Sequence, residues 1–207
     1  MRLELRGVSA LDGDDRARFV RIYESSFPEG DRDPTMDLLD AIAAGERRCT
    51  VAVVDGRLAG LAIFYQLAGL EVEYLDYLAV DPARRSQGIG SRLLDRVVAE
   101  LQPSRLGLFF EVEPLAGSAG AERALRQRRI DFYLRHGARL VDCAPGFRAP
   151  ARGGPLPYTL MWRPLGDQRP RLEGDLLRRS LVALFRQAYD LDASDPLVRE
   201  VLAGLAC

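Results

Sequence analysis

Two hundred and seven residues, 47% hydrophobic and 29% charged, have the make-up of a globular protein with one domain and material to spare. The formal charge of −1 lacks the basic excess that a nucleic-acid partner leaves, and no apolar run approaches the roughly 20 residues of a membrane span. The opening MRLELRGVSA has no basic patch followed by an apolar stretch, so a cytoplasmic protein with neither a nucleic-acid nor a membrane partner is expected. All 29 basic residues are Arg, and Asn is also missing; both absent types use A-rich codons, which points to a GC-rich bacterial genome. Cys49, Cys143 and Cys207 are odd in number and widely spaced, which argues against a disulfide framework or a zinc site, and no metal is expected. A nucleophilic triad would have to pass through the single histidine, His136.

Asp12 to Phe27 is predicted helical, with Phe19, Ile22, Tyr23 and Phe27 at helical spacing and acidic residues near its start. After the loop from Pro28 to Asp33, Pro34 can open a short helix through Ala44. Arg48 to Val54 and Leu58 to Gln66 are strand-like, and Asp55-Gly56 between them is a strong hairpin signal. A third strand, Glu71 to Val80, ends at Asp81-Pro82. A loop to Gly90 leads into an amphipathic helix from Ser91 to Leu101. Leu106 to Val112 is apolar on both faces, as in the middle of a covered sheet. A helix from Ala121 to His136 stops at Gly137. Arg139 to Asp142 and Tyr158 to Arg163 read as the last strands, joined by a Pro- and Gly-rich loop over Ala144 to Pro157. The remainder carries two helical patterns, around Leu176 to Tyr189 and Leu197 to Leu205. The expected class is α/β: a mixed sheet of six to seven strands with helices on both faces in residues 1–165, and a helical extension in residues 166–207.

The informative stretch runs from Tyr77 to Leu94, where a strand ends, a glycine-bearing loop turns and a helix begins at once. Gly88 and Gly90 let the backbone approach a ligand closely, and the free N–H groups at the helix start favour an anion. Arg84 and Arg85 can fork onto phosphate oxygens, and Ser91 offers a hydroxyl. The simplest ligand is a pyrophosphate. A Walker loop needs Lys, which is absent, and Gly88-Ile89-Gly90-Ser91-Arg92-Leu93 does not complete a dinucleotide fingerprint.

Arg85-Ser86-Gln87-Gly88-Ile89-Gly90, after Leu-Ala-Val-Asp-Pro, resembles the R/Q-x-x-G-x-G/A loop of the GNAT acyltransferase superfamily. A second segment, Arg129-Ile130-Asp131-Phe132-Tyr133-Leu134-Arg135-His136-Gly137, resembles that family's later helix, with the tyrosine four residues before a glycine. Ala138 stands where members commonly carry a large apolar residue. The resemblance implies an acyl-CoA-dependent N-acetyltransferase with acetyl-CoA as co-substrate. It implies that the backbone of Leu78, Ala79 and Val80 pairs with pantetheine. Arg85, Ser86, Gln87, Gly88, Ile89, Gly90 and Ser91 would hold the diphosphate, with Arg129 also on the coenzyme side. Tyr133 matches the family's acid, which protonates the departing thiolate. Glu111 is the first candidate base and Glu73 the second. Glu29, Asp31 and Asp33, in the loop where the family places its acceptor, and Glu113, two residues beyond Glu111, would attract a cationic small-molecule amine. Alternatives left open are a CoA-binding sensor without turnover and transfer to a protein N-terminus or lysine; a homodimer is also open.

Overall fold

The computed structural model describes residues 2–30, 32–101, 103–166 and 170–207. In chain order the elements are β1 (Leu3–Val8), α1 (Gly13–Ser26), α2 (Thr35–Ala43), β2 (Arg48–Val54), β3 (Arg57–Gln66), β4 (Val72–Val80), a 3₁₀ turn (Pro82–Arg84) and α3 (Ile89–Glu100). Then follow β5 (Gly107–Val112), α4 (Gly120–Arg135), β6 (Arg139–Leu140), β7 (Arg148–Ala149), β8 (Leu156–Pro157), β9 (Thr159–Pro164), α5 (Gly174–Tyr189) and α6 (Pro196–Ala203). A mixed seven-stranded sheet has the order β1-β2-β3-β4-β5-β9-β6, and β7 and β8 form a separate small ladder. The α/β class with helices around a mixed sheet is therefore the observed architecture.

The chain forms two compact units, Met1–Tyr65 with Leu75–Gln102, and Gln66–Tyr74 with Pro103–Cys207. In the first, Asp55 and Gly56 both take positive φ and close the β2–β3 hairpin, as their sequence calls for. One core cluster joins Phe19, Ile22 and Tyr23 of α1, Leu38 and Ile42 of α2, Val51, Leu58, Leu61 and Ile63 of the hairpin, and Tyr77 and Ala79 of β4. The second half of β4 alternates, so Tyr77 and Ala79 enter this core while Asp76, Leu78 and Val80 face the other side. Helix α3 docks through Ile89, Leu93, Leu94 and Val97, each contributing about 1.5–3 kcal/mol by burial. Gly60 makes this docking close: a Cβ there would stand 3.0 Å from both Ala79 O and Leu93 Cδ1.

In the second unit, β4 and β5 pair in parallel over three positions only, Val72↔Gly107 to Tyr74↔Phe109. β5 then continues against β9 through six antiparallel pairs, and it is buried on both faces up to Phe110. A Cβ at Gly107 would collide with the Trp162 ring, so this glycine seats the indole against the strand. Helix α4 ends at Gly137 (φ 81): Ala138 N–H returns to Tyr133 O and Gly137 N–H to Leu134 O, which pins Tyr133 in the last turn.

One strand is added and three expectations change. Leu3–Val8 is an edge strand paired antiparallel with β2; its pattern is half exposed and carries Glu4 and Arg6, typical of a protected edge and weak as a sequence signal. Helix α3 starts at Ile89 rather than Ser91, because Ile89 is needed as a buried contact and Gly88 already serves as the cap. The strand expected at Arg139 to Asp142 shortens to two residues, and the loop from Ala144 contains the β7–β8 ladder, folded over buried Phe147 and Ala149. Cys143 and Cys207 are joined in a disulfide across 64 residues, against the expectation from spacing. Their Cα atoms lie 5.4 Å apart because Ala206 N–H donates to Cys143 O and returns the tail. Cys49 is free and buried.

Candidate functional site

In the first unit the loop after β4 is shaped by its own side chains. Asp81 accepts from Ala83 N–H at 3.0 Å, closing the 3₁₀ turn, and Arg85 Nε donates to Val80 O at 3.3 Å. Ser86 (φ 63) and Gly88 (φ 76) then take left-handed conformations, and Gly88, as the N-cap of α3, brings no side chain to the first turn. Among the described residues no heavy atom outside the neighbouring ones comes within 4 Å of a Cβ built on Gly88. The N-cap is thus open and bordered by Arg84 and Arg85, an arrangement that suits an anion's oxygens. Arg85, Ser86, Gln87 and Gly88 are exposed, Gly90 and Ser91 partly so, and Ile89 is the docking residue. Leu78 and Val80 lie on the β4 face opposite the core, with Ala79 turned inward.

The loop from Pro28 to Asp33 is fastened to the same strand. Asp33 N–H donates to the Tyr77 hydroxyl at 3.1 Å, and the Tyr23 hydroxyl donates to Asp33 O at 3.2 Å. Tyr77 meets both Tyr23 and Phe27 edge to face beneath it, and those two rings are tilted against each other. Burial raises the Asp33 carboxyl above its ordinary range, opposed by Arg47. Arg47 itself stacks 3.6 Å over the Tyr65 ring and pairs with Asp76 at 3.4 Å. Glu29 is exposed, and Asp31 lies outside the described residues.

The second unit holds the other candidates. Glu111, on β5 opposite Leu160 of β9, accepts from the Tyr189 hydroxyl through Oε1 at 3.2 Å, while its buried Oε2 takes no hydrogen bond from the described residues. Burial pushes this carboxyl from 4.5 up to about 7, and the hydroxyls of Tyr74 and Tyr189 work against that rise. Glu73, by contrast, is 1% exposed and ion-paired to Arg105 Nε at 2.8 Å; the same guanidinium reaches Glu71 and also Gln66 Oε1. Glu113, just beyond the end of β5, is in contact with Arg129, so two residues assigned separately from sequence pair with each other. Tyr133 is buried against Phe110 with ring centroids 4.3 Å apart. Burial pushes its phenol from 10.0 up to about 12, and Arg129 pulls it back. His136 lies at the helix end, its ring against Phe132 and its carbonyl accepting from Arg163 Nε at 2.7 Å.

Among the described residues no group of three or more His, Cys, Asp or Glu side chains could hold a metal ion, and no helix is long and apolar enough to cross a membrane. The residue that the sequence reading left out of the site is Tyr189: it falls in what reads as a helical appendage, and no motif marks it.

The fold matches many solved structures. A GNAT-family protein from Bacteroides thetaiotaomicron is 22% identical, with a TM-score of 0.68 over 93% of this chain and 100% of that one. YncA from Salmonella typhimurium, solved with its cofactor acetyl-CoA, is 18% identical, with a TM-score of 0.60 over 83% of this chain and 98% of that one. The ribosomal-protein-S18-alanine N-acetyltransferase of Escherichia coli is 19% identical, with a TM-score of 0.57 over 82% and 99% of the two chains. No match is found among the curated proteins. The sequence model of the acetyltransferase (GNAT) family matches residues 16–138, more than half of the sequence and inclusive of both motifs. The chain belongs to the acetyltransferase (GNAT) family.

Proposed function

We propose that this protein transfers an acyl group, acetyl in the first instance, from a coenzyme A thioester to the primary amine of a small molecule by direct attack. Residues 1–165 carry the transfer and residues 166–207 form a helical extension. The coenzyme supplies the activated acyl group. Backbone amides from Gly88 to Ser91, with Arg85, Ser86 and Gln87, hold its diphosphate; the backbone of Leu78 to Val80 takes pantetheine and offers an amide to the developing oxyanion. Arg129 stands on the coenzyme side.

Glu111 removes a proton from the attacking amine, directly or through water, and Tyr133 gives a proton to the departing thiolate sulfur. The observation that carries this reading is the buried Glu111 carboxylate, held by the Tyr189 hydroxyl at Oε1, without a hydrogen bond at Oε2 among the described residues, and with a proton affinity near neutrality. A coenzyme-binding sensor has no use for such a group. Glu73 is the weaker candidate for base because Arg105 engages it. Glu29, Asp31, Asp33 and Glu113 attract the acceptor's cation.

The test is a thiol-release screen with acetyl-CoA against polyamines, aminoglycosides, amino acids and short peptides. Release with a cationic small amine, slowed by about 10²–10⁴ in Glu111→Gln, is the expected result. Binding of acetyl-CoA without release for any acceptor would leave the sensor reading in its place. Release with peptides alone would move the acceptor to a protein, as the Escherichia coli enzyme's name describes for that relative.

A further inference from the structure

We infer that Tyr189, in the last turn of α5, is a positioning residue for the Glu111 carboxylate, so that the helical extension completes the catalytic base. The inference rests on the reading of Glu111 as base and goes beyond it, because it draws residues 166–207 into the chemistry.

The geometry is specific. The Tyr189 hydroxyl donates to Oε1 at 3.2 Å, which fixes one carboxylate oxygen, while buried Oε2 takes no hydrogen bond among the described residues. A hydrogen bond serving stability alone gains nothing from leaving a buried oxygen bare, since that omission is costly. Around the carboxylate, Tyr74 of β4 offers a second phenol hydrogen bond, Leu160 of β9 is apolar, and Glu113 further along is engaged by Arg129 of α4. Tyr133 of α4 packs on the adjacent Phe110. Apart from burial, the groups that act on the Glu111 carboxyl are the phenols of Tyr74 and Tyr189, and none is a fixed charge.

The end of α5 is built to hold this hydroxyl still. Gln187, one half-turn earlier, clasps the loop after β3 from two sides: its Oε1 accepts from Ala68 N–H at 2.6 Å and its Nε2 donates to Gln66 O at 3.3 Å. Directly after Tyr189 the chain turns through Asp190 (φ 53), and the N–H groups of Asp190 and Leu191 both close onto Phe185 O. Leu181, Leu184 and Phe185 are fully buried, and Phe185 packs on both Phe147 and Tyr189. Gly174 N–H, at the other end of the helix, donates to Cys207 Sγ at 3.3 Å.

Removing a hydrogen bond to the charged form raises a carboxyl's pKa, so the acidic limb of kcat/KM should move to higher pH. Tyr189→Phe should shift that limb upward by about one pH unit, giving about a tenfold loss near pH 6 and less than about twofold near pH 9. The KM for acetyl-CoA should stay within about twofold. Gln187→Ala, which touches neither the carboxylate nor its hydroxyl partner, should shift the limb in the same direction by less. It also serves as the second variant if Tyr189→Phe folds poorly. In a Glu111→Gln background, Tyr189→Phe should add no further loss.

A limb unmoved in both variants, with Glu111→Gln inactive, overturns the inference and leaves the base assignment standing. Full activity in Glu111→Gln overturns the base assignment and the inference together. A uniform loss at every pH assigns Tyr189 a packing role and likewise overturns the positioning role.

Discussion

Glu111→Gln should inactivate the protein and, at the same time, make its stability relative to the native chain more favourable as pH rises from about 5 to about 8. The carboxyl rises from 4.5 to about 7 because burial penalises its charged form. A carboxyl raised in the folded state favours folding below its unfolded value, and that contribution is lost as pH climbs towards the folded value. The loss therefore builds between about pH 4.5 and pH 7. Between about pH 5 and pH 8 it comes to about 2–3 kcal/mol. Glutamine cannot ionise, so the variant escapes this loss. Its amide nitrogen replaces the bare Oε2 at a cost that is the same at both pH values and cancels in the comparison. The change in Tm on mutation should thus be more favourable at about pH 8 than at about pH 5 by about 5–10 °C for a chain of this length. Thermal melts of both proteins at the two pH values measure it directly. Equal changes in Tm would show that the carboxyl titrates as an ordinary exposed one, which refutes the desolvation argument and with it the neutral-range base. Turnover at about pH 8 should fall by about 10²–10⁴ in the same variant.

Three further outcomes follow from the same geometry. Tyr133→Phe keeps the ring contact with Phe110 and loses the proton; kcat should fall by about 10²–10⁴ with acetyl-CoA affinity within about twofold, and unchanged turnover would remove Tyr133 from the reaction. Gly88→Glu strains a left-handed residue (φ 76) and places a carboxylate at the helix entrance, so calorimetry should register no acetyl-CoA uptake; unaltered affinity refutes the loop assignment. Cys143→Ser opens a 64-residue loop and should cost about 4 kcal/mol of stability under oxidising conditions, an effect that reductant should reproduce in the native protein; identical melts would deny the bond any role.

The parts of the fold that were legible are those where local chemistry and tertiary need agree. Asp55-Gly56 can close only a tight hairpin, and β5 is apolar on both faces because it is covered on both. The helix boundaries fell within two residues, and the two-residue shift to Ile89 is instructive: by sequence it sits between two glycines, yet Gly60 removes a side chain from β3 so that Ile89 and Leu93 can pack there. That compensation lies 29 positions away and has no local trace. The same holds for the contacts around the candidate residues. Nothing in the spacing distinguishes Glu111 from Glu73, but Arg105 reaches one and the end of α5 reaches the other. The disulfide is hidden for a similar reason, since its partners meet only when α6 carries the tail back to Cys143.

Burial is the shared cause behind the two titrating groups proposed for the chemistry, and it has opposite uses in them. Desolvation disfavours charge on both, which brings Glu111 up to about 7 and Tyr133 up to about 12. For the carboxyl this produces a base strong enough to take a proton near neutrality; for the phenol it keeps the proton in place until the leaving group needs it. Between those two values Glu111 is charged while Tyr133 is neutral, which is the combination that proton removal followed by proton delivery requires. The difficulty falls on Tyr133, because a phenol near 12 yields its proton reluctantly to a thiolate whose ordinary pKa is about 8.5. Among the described residues Arg129 lowers the phenol, and Glu113 is in contact with that guanidinium. On this argument Arg129 and Glu113 act on the reaction first through Tyr133, by setting how readily it parts with its proton.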